Sequence, residues 1–173
     1  MRYVELRRHP DNDGDTLTQD GMTAAERIGQ TGLQPPYALF ASSGASRADQ
    51  TVKILRHAAG QDELPIRAVP GLRSAVEDRW RETAKAAGKG ADLEAMRALD
   101  PALVETETRT LGQALRGIVN ELPEGGRALV VGHSPTNEAA VLGLTGRLIK
   151  PLGKGEGVLV VEHDGTFDVG RLD

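Results

Sequence analysis

The sequence predicts an α/β protein, a three-layer sandwich with a mostly parallel central sheet and helices on both faces. Short apolar runs alternate along the chain with longer segments of helical periodicity, which is the pattern of strand–helix–strand units. Parallel sheets bury both faces, so helices must cover each side. Only 3% of residues are aromatic, so Leu, Val, Ile and Ala must fill the core.

The N-terminal third shows this alternation clearly. Residues 2–6 ("RYVEL") read as a strand, and residues 17–32 as a helix that Gly32 closes. The apolar run at 37–43 ("YALFASS") is a second strand. A second helix over 47–59 has an apolar face made of Ala48, Val52, Leu55 and Ala59.

The middle of the chain is less apolar. Residues 64–70 ("LPIRAVP") form a short strand bounded by prolines. Residues 74–100 are rich in Ala, Arg, Lys and Glu and are expected to be helical, with breaks at Gly88 and Gly90.

The C-terminal part returns to strong patterns. A helical stripe covers 104–122, a buried strand 127–133 ("RALVVGH") follows, and residues 137–146 are helical. Residues 157–172 read as a β-hairpin whose turn is Asp164-Gly165.

Composition excludes several classes of protein. A length of 173 residues suggests one domain spanning 1–173. The net charge of −4 does not favour a nucleic-acid partner, and the absence of cysteine excludes disulfides and thiolate chemistry. No run is apolar enough for a membrane span, and charges interrupt the N-terminal residues where a signal peptide would need an apolar core. We therefore expect no membrane partner and a cytoplasmic location.

Basic side chains follow three of the predicted strands. Arg8 and His9 lie at the end of the first strand, Arg47 a few residues past the second, and His133 at the end of the buried 127–133 strand. Ligands of open α/β sheets bind outside the carboxyl ends of the strands. The sequence therefore predicts an anion site at this edge.

Three stretches, "RRHP", "SSGASRADQT" and "VVGHSP", together resemble the signatures of the histidine phosphatase superfamily, which has the phosphoglycerate-mutase-like fold. "LTQDG" is similar to the family's Leu-Thr-x-x-Gly helix start, and the short chain is similar to the small phosphatase branch that includes phosphohistidine phosphatases. The matching residues are Arg8 and His9 in the first motif, Ser43, Arg47, Ala48, Gln50 and Thr51 in the second, and Gly132 and His133 in the third.

The resemblance implies a role for each matched residue. His9 would be the nucleophile that becomes phosphohistidine, Arg8 and Arg47 would bind the phosphoryl group, and His133 would donate to a phosphoryl oxygen. Ser134 would join the phosphate site and can cap the following helix. Neighbouring guanidinium groups should lower the pKa of His9 and keep its imidazole able to attack. Neither a cofactor nor a metal is implied.

Arg7 competes with Arg8 for the phosphate. Neighbouring residues of a strand point to opposite faces, so only one of the two can face the site. The family places its arginine directly before the histidine, which selects Arg8.

Two departures from the family pattern matter. Pro10 replaces the family's glycine, so this position has no N–H to offer. Ser74 replaces the glutamate that protonates the leaving oxygen in many members. Glu77 or Asp78, about one helical turn further on, can take over as general acid, or no residue does.

The sequence thus predicts a phosphatase that works through phosphohistidine, on phosphohistidine itself or on a small phosphomonoester. Substrates would be phosphorylated small molecules or phosphoproteins. Pro10 and the missing glutamate favour the alternative, a non-catalytic phosphate-binding or regulatory protein. A phosphoglycerate-mutase-type phosphotransferase is disfavoured because the chain lacks long insertions.

Overall fold

A computed structural model describes residues 1–172 and contains a six-stranded sheet with the strand order β5-β4-β6-β1-β7-β8. The strands are β1 (Arg2–Arg8), β2 (Asn12–Asp13), β3 (Thr16–Leu17), β4 (Leu39–Ser42), β5 (Ile66–Ala68), β6 (Arg127–Gly132), β7 (Gly157–His163) and β8 (Thr166–Leu172). The helices are α1 (Gln19–Thr31), α2 (Ser46–Ala58), α3 (Glu77–Ala87), α4 (Leu93–Leu99), α5 (Pro101–Glu121) and α6 (Thr136–Thr145). A 3₁₀ turn covers Pro70–Leu72, and β2 pairs only with β3.

The sheet is parallel through its first four strands and antiparallel at its last two. β4 pairs in parallel with β5 and β6, and β6 with β1, whereas β7 is antiparallel to β1 and to β8. The turn between β7 and β8 contains Asp164 and Gly165, both at positive φ, as the hairpin prediction requires. The predicted fold class is confirmed.

Two cores cover the two faces of the sheet. On one face, Val4, Leu6 and Val130 pack with apolar residues from α3, α4, α5 and α6. On the other face, Leu129 and Val131 pack with Phe40 and with residues of α2, and Ile28 of α1 packs against this cluster. Alternate residues of β6 thus serve opposite layers, which follows from the two-residue period of a strand.

Helix ends follow the predicted signals, with one exception. The N–H of Gly32 caps α1 by donating to the carbonyl of Ile28, and Gly88 and Gly90 separate α3 from α4 at positive φ. Ser134 does not cap α6 as predicted, because its hydroxyl donates instead to the side chain of Glu138.

The carboxyl ends of the three central parallel strands lie side by side. β1 ends at Arg8, β4 at Ser42 and β6 at Gly132, and Arg8 is in register with Gly132. Gly132 allows a close approach, because a Cβ there would collide with the side chain of Asn137. The Asn137 amide donates to the carbonyl of Arg7 over 3.1 Å and so ties the start of α6 to the end of β1.

Residues 1–172 lack two features that would point to a membrane or a metal. No helix in this range is long and apolar enough to cross a membrane. Nor does this range contain a group of three or more His, Asp or Glu side chains placed to hold a metal ion.

Candidate active site

His9 is held just past the end of β1 with one ring nitrogen assigned to the backbone. The backbone N–H of His9 donates to the carbonyl of Gly132 over 3.1 Å, and the side chain of His9 is buried. Nδ1 lies 2.8 Å from the carbonyl oxygen of Pro10 and donates to it. Proline lacks an N–H but keeps its carbonyl, so Pro10 still orients the imidazole and directs Nε2 away from the backbone.

Arg47 meets His9 from the start of α2. Its Nε–H donates to His9 Nε2 over 3.3 Å, so Nε2 carries a lone pair rather than a proton. Nη1 donates to a carboxylate oxygen of Asp15 over 2.8 Å, and the same carboxylate accepts from the N–H groups of Ser46 and Arg47. The α2 N-terminus has no side-chain cap of its own, so Asp15 satisfies its donors from another segment.

The loop that carries Asp15 is fastened at two points. The side chain of Gln50 accepts from the N–H of Leu17 over 2.7 Å, which gives this residue of the second motif a structural role. Lys154 donates to the side chains of Asp11 and Asn12, each over 3.0 Å. These contacts hold the loop against α2 and against the segment before β7.

His133 completes the cluster from the end of β6. The rings of His9 and His133 lie 5.2 Å apart in an edge-to-face arrangement. His133 Nε2 lies 2.6 Å from the hydroxyl of Ser43, a group that can donate to a bare nitrogen or accept from an N–H. The predicted residues His9, Arg47 and His133 are therefore brought together.

Both histidines are strongly biased towards the neutral form. Burial is the largest cause that lowers the pKa of His9 to about 4, and Arg47 and Arg8 lower it further. The pKa of His133 falls to about 3, again mainly through burial and then through Arg47 and His9. The predicted direction for His9 is confirmed, but its main cause is desolvation rather than the guanidinium groups.

The two arginines of β1 diverge as strand alternation predicts. Arg7 donates to the carbonyl of Gly32, on the α1 side of the sheet. Arg8 donates to the carbonyl of Leu152 over 2.7 Å, and the charge of Glu138 acts on its guanidinium. Arg8 lies on the α6 side and close enough to His9 to lower its pKa.

Ser134 and Glu138 form a pair beside Arg8. The Ser134 hydroxyl donates to the Glu138 carboxyl group over 2.5 Å, and Glu138 is almost fully buried. Burial raises the pKa of Glu138 to about 7, although the hydrogen bond from Ser134 and the charge of Arg8 act in the opposite direction. Ser134 nevertheless borders the same pocket as Arg47 and His133.

That pocket has a volume of about 240 Å³. The two candidate acids differ in whether they border it. Glu77 borders it, together with Arg47 and His133, and accepts from Arg73 over 2.8 Å. Asp78 does not border it and accepts from Arg81 at the exposed surface. The geometry favours Glu77 over Asp78 as the proton donor.

Ser74 occupies the pocket wall with a partner that the sequence did not reveal. Its hydroxyl donates to Glu107 of α5, which also accepts from the indole N–H of Trp80 over 3.0 Å. Sequence reasoning also missed the roles of Asp15 and Glu138. No motif of the sequence pointed to Asp15, Glu107 or Glu138.

Comparisons with known proteins support the fold. No family model and no curated protein sequence matches this chain. Among solved structures, a phosphoglycerate mutase from Bacillus anthracis is 19% identical, with 98% of this chain and 92% of that chain covered at a TM-score of 0.76. A phosphoserine phosphatase from Entamoeba histolytica, in complex with 3-phosphoglyceric acid, is 15% identical, with coverages of 100% and 98% and a TM-score of 0.77.

A mycobacterial glucosyl-3-phosphoglycerate phosphatase is 18% identical, with coverages of 99% and 98% and a TM-score of 0.68. Identities this low establish a common fold, and they leave the activity of this chain to be argued from its own site. The similarity spans nearly the whole of each chain. This chain therefore has the phosphoglycerate-mutase-like fold that its three sequence motifs predict.

Proposed function

We propose that the protein is a histidine phosphatase that removes a phosphoryl group through a phosphohistidine intermediate on His9. One observation carries the proposal: the contacts of Pro10 and Arg47 fix the tautomer of the neutral His9 imidazole, with the lone pair of Nε2 beside a guanidinium group. A neutral imidazole is a nucleophile, and a guanidinium binds phosphate oxygens.

The first step joins His9 to phosphorus. The lone pair of Nε2 attacks the phosphorus atom, and the bond between phosphorus and the leaving group breaks with its electron pair on the leaving atom. Arg47 and Arg8 stabilise the charge on the phosphoryl oxygens. His133 donates an N–H to one of these oxygens and must do so as the neutral tautomer, because its pKa lies near 3.

Arg47 must exchange partners for this step. Its Nε–H, which now points at His9 Nε2, turns to a phosphoryl oxygen once the new N–P bond forms. Asp15 keeps hold of Nη1 and thereby keeps the guanidinium at the start of α2. The N-terminus of a helix favours negative charge, which adds to the attraction for phosphate.

The second step returns the enzyme to its starting state. Water attacks the phosphorus, and the N–P bond breaks with its electron pair on His9 Nε2. The water gives up one proton, to the Glu77 carboxylate when Glu77 protonated the leaving group and otherwise to a phosphate oxygen. The leaving group of the first step needs a proton when it is an alkoxide, and in this proposal Glu77, which borders the pocket, supplies it. Phosphohistidine or a good aryl leaving group departs without that help.

A direct test measures turnover and the intermediate together. Hydrolysis of an aryl phosphate in the presence of EDTA should proceed, because the proposal needs no metal ion. Quenching with acid-free denaturant should leave a phosphoryl group on His9 that is labile to acid and stable to base. An enzyme with no turnover and no adduct would instead support the non-catalytic, phosphate-binding alternative.

The role of Glu77 is tested with phosphate esters of graded leaving-group pKa. The native enzyme should favour good leaving groups, and Glu77→Gln should make that dependence steeper by removing alkyl monoester activity. A general acid typically contributes about 10²–10⁴ in rate. Asp78→Asn, which removes the same charge from the neighbouring residue, is the matched control and should leave the series unchanged.

A further inference from the structure

The pocket beside the phosphate site is where the leaving group of a substrate must lie. It adjoins Arg47 and His133, and it extends from them along the start of α3. Its volume of about 240 Å³ is small for a ligand pocket and suits a leaving group of about one ring in size. The chemistry of its walls therefore selects among phosphorylated substrates.

The back of the pocket is apolar. Trp80, Ala84 and Pro135 contribute to it, and Trp80 is almost fully buried. The indole N–H of Trp80 donates to Glu107, so the polar atom of this side chain is already used inside the protein. Ser74, which also borders the pocket, directs its hydroxyl to the same carboxylate.

The cations around the pocket already have anionic partners. Arg73 donates to Glu77 over 2.8 Å, and Arg81 donates to Asp78 over 2.7 Å. Arg47 keeps its Nη1 on Asp15. A leaving group with a carboxylate would have to share one of these guanidinium groups with its present partner while it faced the carboxylate of Glu77. Desolvation of an unpaired carboxylate makes such a substrate unfavourable.

The walls of this pocket favour a positively charged or neutral aromatic leaving group. Glu77 can pair with a cation, and an aromatic face such as that of Trp80 attracts one. A neutral ring would bury apolar surface against Trp80, Ala84 and Pro135.

From this juxtaposition we infer that the pocket formed by Glu77, Trp80, Ala84 and Pro135 selects leaving groups that are aromatic or cationic and excludes those that carry a carboxylate. The inference rests on the proposed function and narrows its substrate class. Phosphohistidine meets both conditions, because its leaving group is an aromatic ring that takes up a proton near neutral pH. A phosphoglycerate-type monoester meets neither.

Binding can be measured without turnover, because Trp80 is the one tryptophan of the chain. Phenylphosphonates cannot be hydrolysed, and para substituents can carry an aminomethyl, a methyl or a carboxylate group. Titration of each into the native protein should change the fluorescence of Trp80, with calorimetry as a second readout. The carboxylate probe should bind about tenfold more weakly than the methyl probe, or about 1.4 kcal/mol less favourably.

Two variants of equal charge change locate the effect. Glu77→Gln removes the carboxylate at the pocket and frees Arg73, so the carboxylate probe should gain affinity and the aminomethyl probe should lose it. Glu82→Gln is the matched control, because Glu82 is exposed on the same helix and does not border the pocket, and the affinities of the three probes should stay unchanged.

The outcomes separate this inference from the proposed function. Equal affinities for the three probes, no binding of any probe, or equal effects of Glu77→Gln and Glu82→Gln would each overturn the inference. Weaker binding of the carboxylate probe, together with a failure to hydrolyse any aryl phosphate, would uphold the pocket selectivity and reject the phosphatase. Hydrolysis of an aryl phosphate together with equal affinities for the three probes would uphold the phosphatase and reject the pocket selectivity.

Discussion

Two buried polar clusters meet strand β1, and they balance charge differently. The first, which we call the strand cluster, consists of Glu5, Arg7, Tyr37 and Arg127 on the α1 side of the sheet. Glu5 accepts from Tyr37 over 2.9 Å and from Arg127 over 3.3 Å, and the charge of Arg7 also acts on it. Its cations therefore face an anion that the protein itself supplies.

The second, the histidine cluster, consists of His9, Arg47 and His133 at the end of the same strand. The cation of this cluster, Arg47, faces two neutral imidazoles. The carboxylate that pairs with it, Asp15, is half exposed. Burial keeps both histidines neutral when Arg47 is charged. The positive charge in this cluster is therefore available to an anion from outside.

The difference separates groups that stabilise the fold from groups that act on a ligand. A buried charge with an internal partner costs stability when that partner is removed. A positive site without a full internal partner gains energy only when a ligand arrives. The two clusters should therefore respond in opposite ways to substitution, which the following changes test.

The largest effect is expected for His9→Asn. This substitution removes the nucleophile, and hydrolysis of aryl phosphates should fall by on the order of 10³-fold or more. The free energy of unfolding should hardly change, because Asn can still donate to the Pro10 carbonyl. Denaturant unfolding and kcat/KM measured side by side check this; a variant that keeps most of its activity would reject His9 as the nucleophile.

Glu5→Ala should have the largest effect on stability. It leaves the buried Arg7 and the partly buried Arg127 without their anion, and breaking a buried ion pair in this way costs about 3–5 kcal/mol. Urea unfolding should show the loss, while the remaining folded protein should keep its kcat/KM within about threefold. A large loss of activity with unchanged stability would place Glu5 in the catalytic machinery instead.

Arg47→Ala should weaken the binding of anions. The lost charge-assisted contact is worth about 1.5–3 kcal/mol, so kcat/KM should fall at least about tenfold. Inhibition by vanadate and by inorganic phosphate should weaken in parallel. Unchanged inhibition constants would show that Arg47 only caps its helix with Asp15. Arg56→Ala, on the same helix and away from the site, is the control.

The smallest effect is the pH dependence of stability that the histidine cluster causes. The folded state lowers the pKa of His133 to about 3, so between about pH 6.5 and pH 3 the unfolded chain binds a proton that the folded state does not. The contribution of His133 to stability is therefore fully present above pH 6.5 and is lost as the pH drops towards 3. Each neutral histidine should contribute a loss on the order of 2 kcal/mol between pH 7 and pH 5.

His133→Asn should remove its share of this slope, as measured by the free energy of unfolding across pH. An unaltered slope in His133→Asn would mean that the pKa of this ring is the same in the folded and unfolded states.

The sequence predicted the elements closely wherever a local signal exists. Gly32, Gly88 and Gly90 mark the ends of helices because glycine adopts conformations that end them, and the Asp164-Gly165 turn defines the last hairpin. The motif residues His9, Arg47 and His133 were found because strand ends of a parallel sheet share one edge.

The cap assigned to Ser134 was wrong for a reason that no local pattern contains. Its hydroxyl could reach either the backbone of α6 or the side chain of Glu138, and burial of Glu138 decides for the carboxyl group. An acidic residue within a helix is ordinarily exposed, so the sequence offered no sign of this partner.

The sequence by itself determined the order of strands and helices and the residues that stand at the strand ends, because both depend on neighbours a few positions apart. Only the tertiary structure decided the protonation state and the hydrogen-bond partners of those residues. Asp15 meets Arg47 across 32 positions, and Ser74 meets Glu107 across 33. Burial, which depends on every layer around the sheet, is the main cause that keeps His9 and His133 neutral. Protonation and partner choice are properties of the packed protein, since they depend on contacts that form only when distant segments of the chain come together.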